Sequence, residues 1–162
     1  MAIEVRATPL SRPPDAPVDA AAEERLLPWA WAAERLTAAR TYMVSTARPD
    51  GRPHAMPVWG VWVDDAFYFL SEPRSVKAHN LRANARCVIS TERAGDAVVL
   101  EGHAARIRGA EVPAAAAAVY RAKYQWVFDA DGESVHVVRP TVAFGFVEQA
   151  DFNASATRWT FA

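Results

Sequence analysis

The sequence predicts a mainly β fold, an antiparallel sheet of six strands curled into a small barrel with helices at its flanks. Three observations predict it. Strand-like runs follow one another mostly in hairpin order, from Tyr42 to Ile107 and again from Val135. Turn-forming residues stand between them at Arg48-Pro49-Asp50-Gly51, Asp64-Asp65 and Arg93-Ala94-Gly95-Asp96. Helical patterns occur only at the start, in the middle and before the last strand, so strands do not alternate with crossover helices as a doubly wound parallel sheet requires.

In chain order, residues 1–22 carry Pro9, Pro13, Pro14 and Pro17 with no apolar period and read as a loose arm, leaving 23–162 as one domain. Trp29, Ala32, Ala33 and Leu36 recur at three- and four-residue intervals, a helix from about Pro28 to Ala39. Tyr42 to Thr46 is the first strand, turned back by Gly51 into a second from about His54 to Val63. Pro57 inside that strand cannot donate to a ladder, which marks an edge, a bulge or an opening where a ligand can reach the backbone. Ala66 to Leu70 puts Phe67 and Phe69 on one face, Tyr68 and Leu70 on the other. Ser75 to about Asn84 is a short helix, and Arg86 to Thr91 pairs with Ala97 to Ile107. Pro113 opens a helix through the alanine run to Tyr124. Val135 to Val147 closes the sheet, and 151–162 is a tail ending in Thr157-Arg158-Trp159-Thr160-Phe161.

A chain of 162 residues is a single-core length, and 51% hydrophobic with 23% charged residues is the composition of a soluble globular protein. A net charge of -1 argues against nucleic acid as a partner, because counterion displacement needs a basic face. No apolar run reaches a membrane span, and the N-terminus has no signal-peptide pattern, so a cytoplasmic protein is expected. Cys87, the single cysteine, lies in a strand pattern and reads as an inert buried thiol. The four histidines are more than twenty residues apart without paired ligands, so no metal site is expected. Asp129-Ala130-Asp131-Gly132-Glu133 lacks the later ligands of a calcium loop and reads as a polar turn. Neither a G-x-S-x-G elbow nor G-x-G-x-x-G nor a Walker loop is present.

Two stretches could carry chemistry. Ser75 is placed to cap a helix whose first free amides, with Arg74 and Lys77 beside them, make a small anion site; a solvated helix start is the plain alternative. Lysine occurs only at Lys77 and Lys123, so its use here is informative. Trp59, Trp62, Phe67, Tyr68 and Phe69 could wall a flat ligand or fill the core, with Trp59 beside Gly60 the best stacking candidate. Glu101, on an otherwise apolar strand, is either buried and paired or solvated at a sheet edge.

The order of these parts, Arg48-Pro49-Asp50-Gly51-Arg52-Pro53-His54, then Pro57-Val58-Trp59-Gly60-Val61-Trp62, Tyr68-Phe69, Arg74-Ser75-Val76-Lys77-Ala78-His79-Asn80-Leu81 and Val98 to Gly102, resembles the pyridoxamine 5'-phosphate oxidase-like split β-barrel superfamily. Within it the chain looks closest to the flavin and deazaflavin (coenzyme F420) dependent oxidoreductases. The resemblance implies a homodimeric six-stranded split barrel with cofactor sites at the subunit interface. By position it implies that Arg74, Ser75 and Lys77 bind the cofactor phosphate and that Met56, Pro57, Val58, Trp59, Leu70 and Ser71 line its ring and ribityl chain. Arg158 and Trp159 only loosely match the C-terminal arginine and tryptophan that hold the vitamer in true pyridoxamine phosphate oxidases. The implied activity is hydride transfer from reduced coenzyme F420 to a small unsaturated or conjugated substrate, with an FMN-binding oxidoreductase or a non-catalytic flavin-binding module as alternatives. No side chain is assigned as catalytic acid or base.

Overall fold

The computed structural model describes residues 4–129, 134–148 and 155–161. Its elements are β1 (Val5–Pro9), α1 (Ala20–Glu23), α2 (Trp29–Ala38), β2 (Tyr42–Ala47), β3 (Pro53–Val58), β4 (Gly60–Val63), β5 (Ala66–Ser71), α3 (Val76–Ala83), β6 (Arg86–Thr91), β7 (Val98–Ile107), α4 (Ala114–Tyr124), β8 (Ser134–Gly145) and β9 (Thr157–Phe161). The described strands pair antiparallel in one sheet, in the order β1-β9-β8-β7-β6-β2-β3, with β5 on β8 and β4 on β5.

Hairpin chemistry positions the early strands. Gly51 takes φ 85° and closes the turn into β3, while Asp64 and Asp65 at φ 49° and 56° make the two-residue turn between β4 and β5. Pro57 sits on β3 at the end of the strand order, where a missing N–H costs no ladder bond. The expected continuous strand from His54 to Val63 is broken at Trp59: β3 pairs with β2, whereas β4 pairs with β5. The chain thus passes from one part of the sheet to another at that residue.

β8 carries the largest share of the pairing. One edge meets β7 along its length, and the other edge is shared, Ser134 to Val138 by β5 and Val142 to Gly145 by β9. The change of partner spans Pro140, which has no N–H to leave unpaired. Opposite it the register slips between Glu101 and Gly102, and Thr141 Oγ1 donates to the Glu101 carbonyl at 3.2 Å. A Cβ at Gly102 would stand 2.3 Å from the Arg139 carbonyl oxygen. Only glycine lets the two backbones approach here.

Among the described residues nine strands replace the six expected, and the difference has two sources. One is the break at Trp59. The other is the pair β1 and β9, in register from Val5 opposite Phe161 to Pro9 opposite Thr157. The expected loose arm over 1–22 is therefore corrected in part: Val5 and Ala7 pack on the core, and α1 is capped by Asp19, whose Oδ1 accepts from Ala22 N at 2.8 Å. The expected tail likewise ends in a strand. The Asp129–Glu133 turn falls almost wholly outside the described residues.

β5 is buried on both faces. Phe67 and Phe69 enter the main core with Tyr42, Leu36, Ile89, Leu100 and Trp159, and Tyr68 joins Val61, Val137, Tyr120 and Tyr124 under α4. Trp159 is fully buried, its Nε1 donating to the Leu27 carbonyl at 3.2 Å, and Trp29 packs edge-on against it. Cys87 is buried and burial pushes its thiol up to about 12, so it stays protonated, as expected of an inert thiol. Glu101 is exposed, which resolves its two readings in favour of solvation.

Gly102→Ala is expected to destabilise the protein by about 1–3 kcal/mol, because the methyl group meets backbone that cannot rotate away. A lower urea midpoint at unchanged slope measures it.

Candidate functional site

The local sequence builds α3 as expected. Ser75 takes an extended conformation and its Oγ accepts from Ala78 N at 3.2 Å, the N-cap bond. Ser71, buried at the end of β5, places its Oγ 2.8 Å from that of Ser75 and so ties the strand end to the helix start. Lys77 lies in the first turn of α3, half-buried; desolvation holds its amine below the ordinary lysine value, and Glu72 partly offsets this. Midway along the helix, Asn80 is buried and donates to Thr46 Oγ1 at 2.9 Å, which fixes α3 on β2.

A cavity of about 680 Å³ opens where β3, β5, α3 and α4 meet, lined by Thr41, Pro57, Val58, Trp59, Leu70, Lys77, Tyr120 and Trp126. Pro57, Val58, Trp59, Leu70 and Lys77 were expected from the sequence. Ser71 and Ser75, the hydroxyl pair just described, are not among the lining residues, although their neighbours Leu70 and Lys77 are. Met56 is exposed on the edge strand opposite Val44, and Arg74 is exposed in the turn before α3; neither is among the lining residues. Of the aromatic residues considered, Trp62, Phe67, Tyr68 and Phe69 are core, and Trp59 alone is open, with 46% of its surface exposed.

Trp59 is also held. Its ring lies on that of Tyr124 with centroids 4.9 Å apart and planes 7° from parallel. The Tyr124 hydroxyl accepts from Gly60 N at 3.0 Å and lies 2.7 Å from the Gly60 carbonyl and 2.8 Å from that of Arg40. It thereby serves backbone groups at the break between β3 and β4. Gly60 admits a close ring, as its sequence position suggested, but the ring is the protein's own: a Cβ there would stand 2.2 Å from Phe67.

The sequence predicts α4 as a helix and assigns it no part in the site. Tyr120 and Trp126 line the cavity, Tyr124 backs Trp59, and Lys123 braces the wall behind them. The Lys123 amine donates to the Tyr42 hydroxyl at 3.0 Å and to the Thr37 carbonyl at 3.2 Å, with the Gly60 carbonyl at 3.5 Å. Burial pushes this amine down to about 8, against a smaller upward pull from Glu92, and Arg40 adds to the lowering. Burial likewise raises the phenols of Tyr42 and Tyr124. Glu92 accepts from Thr41 N, Arg40 N and the Thr41 hydroxyl, and the hydroxyl bond in particular holds its carboxyl below the usual range. The signal available in the sequence was that Lys123 is the second of only two lysines.

Arg158 and Trp159 are used elsewhere. The Arg158 guanidinium donates to the carbonyls of Arg12 and Leu10, and Trp159 is core. Among the described residues no group of three or more metal-ligating side chains occurs, and no helix is long and apolar enough to cross a membrane.

The family model described as pyridoxamine 5'-phosphate oxidase matches residues 30–148. No curated protein matches the chain. An F420 reductase superposes with a TM-score of 0.56 at 21% identity, covering 68% of this chain and 93% of its own. A pyridoxamine 5'-phosphate oxidase-related, FMN-binding protein from Nostoc punctiforme gives 0.54 at 14%, covering 82% and 84%. An FAD-binding protein from Mesorhizobium loti gives 0.57 at 15%, covering 96% and 98%. Identities this low establish a shared fold.

Lys123 gives the site a pH signature. The folded protein releases that proton near pH 8, whereas an unfolded chain keeps it to about 10.5, so between these values the unfolded state binds more protons and stability rises with pH. From about pH 7.5 to about 9.5 the urea midpoint of the wild type should rise relative to that of Lys123→Met, the comparison that cancels the opposing effect of the buried Cys87 thiol.

Proposed function

The chain belongs to the pyridoxamine 5'-phosphate oxidase family, and on that premise we propose that it is an oxidoreductase using reduced coenzyme F420 to transfer a hydride to a small unsaturated or conjugated substrate. The observation that carries this reading is the single cavity in which the half-buried amine of Lys77 and the open face of Trp59 both take part.

The residues present fit a flat cofactor bearing a phosphate. Lys77 is a cation made uncomfortable by burial, and an anion beside it would relieve that cost. The capped start of α3 adds free backbone amides and the positive end of a helix. Among the described residues that line the cavity none is a carboxylate. Trp59, fixed from behind, offers a planar apolar face to a ring, and Pro57, Val58 and Leu70 keep water from it. When bound, a reduced deazaflavin or flavin supplies the hydride from its own ring. The protein's part is to orient that ring and to exclude water.

FMN is the alternative occupant, because Lys77 and α3 address a phosphate common to both cofactors. A homodimer is part of the same reading. Met56 on the edge strand β3, Trp59 just past it and Met43 on the neighbouring β2 are exposed, apolar surface that a second copy would cover. Light scattering is expected to give twice the 17.8 kDa chain mass, and a monomer would sink this part of the reading.

Titration of the purified protein with F420 and with FMN, followed by tryptophan fluorescence, tests the choice. Tighter binding of F420 is expected, tighter FMN binding with yellow protein moves the assignment to a flavoprotein, and binding of neither removes it. Lys77→Ala is expected to cost about 1.5–3 kcal/mol of cofactor affinity, the worth of a hydrogen bond to a charged group. Arg74→Ala, outside the cavity, should cost less.

A further inference from the structure

We propose that Tyr124 is a positioning residue of this site, holding Trp59 as a rigid platform for the cofactor ring; the inference rests on the cofactor reading above. Trp59 occupies the break between β3 and β4, the one place between His54 and Val63 where strand pairing does not continue. A half-exposed tryptophan at a chain break has several rotamers open to it, and ordering it on binding would oppose affinity. The structure removes that freedom beforehand.

It does so through two properties of one side chain. The Tyr124 ring covers one face of Trp59 at 4.9 Å, nearly parallel, and leaves the other face toward the cavity. The Tyr124 hydroxyl is fixed by Gly60 N, the Gly60 carbonyl and the Arg40 carbonyl, so the ring cannot slide with its partner. Its neighbour Lys123 reaches the Gly60 carbonyl and the Tyr42 hydroxyl and ties the same turn of α4 to β2 and to the end of α2. The platform is therefore referenced to the backbone of β4 and of residue 40. Tyr124 need not touch the cofactor; it acts through Trp59.

Two substitutions separate the ring from the hydroxyl. Tyr124→Phe keeps the ring against Trp59 but removes its hydroxyl anchor and leaves Gly60 without its partner, so it should lower the urea midpoint and weaken cofactor binding by clearly less than loss of the ring does. Tyr124→Gln keeps a polar group toward Gly60 and removes the ring, and should weaken binding of FMN and F420 by about three- to tenfold, the range of an aromatic pair. Affinity is read from the cofactor's own emission, so loss of a tryptophan does not remove the reporter. Repeating the Gln substitution in a Trp59→Leu background completes a double-mutant cycle. The expected result is that it has no further effect there. An equal loss in both backgrounds, or a Phe variant as impaired in binding as the Gln variant, would overturn the positioning role. If the wild type binds neither probe, the cofactor reading itself falls, which is a different outcome from binding without coupling.

Discussion

A strand with one edge divided between two partners governs this fold. β8 pairs with β7 on one side, while its other side holds β5 over its first half and β9 over its second. Backbone donors and acceptors must be satisfied wherever they are buried, so a change of partner needs a point where a donor is absent or turned away. Pro140 supplies the first condition, and the register slip opposite it, with Thr141 bonded across to Glu101, supplies the second. Gly102 lets the bent backbones meet. Splitting the edge opens the sheet into two sections.

The cavity lies where the first half of that divided edge meets the free end of the sheet. β5 is carried on β8, β4 is carried on β5, and β3 belongs to the other section through β2. The chain between them must cross, and Trp59 is the crossing residue. Helices then fill the gap: α3 brings Lys77 from the end of β5, and α4 brings Tyr120, Tyr124 and, just past its end, Trp126. Both lysines of the chain stand at this junction, one in the cavity and one bracing its wall.

What was legible in the sequence was local. Ser75 as a cap, Gly51 in a turn and Pro57 at an edge each depend on a few neighbouring residues, and each is found where the residue chemistry puts it. What was not legible depends on residues far apart in the chain. The pairing of β1 with β9 leaves no periodic trace in a proline-rich arm, and one edge strand shows little alternation of burial. Trp59 and Trp62 look alike in sequence, yet one is open and the other is core, because only the first stands at the break. Tyr120 and Tyr124 are spaced as on any core-facing helix, so nothing local distinguishes a helix that packs from a helix that also walls a site.

The ladder between β1 and β9 also has a consequence for synthesis. Val5 is synthesised well before Phe161, yet they are partners, and Trp29 waits for Trp159 to complete its packing. Until β9 is made, then, the edge of β8 from Val142 to Gly145 lacks that partner, and Trp29 and Trp31 of α2 lack their contacts with Trp159 and Phe161. Contacts of such long sequence separation form late and leave edges exposed meanwhile. A nascent chain stalled before residue 155 would present an unpaired strand and bare tryptophans, which are features that chaperones bind.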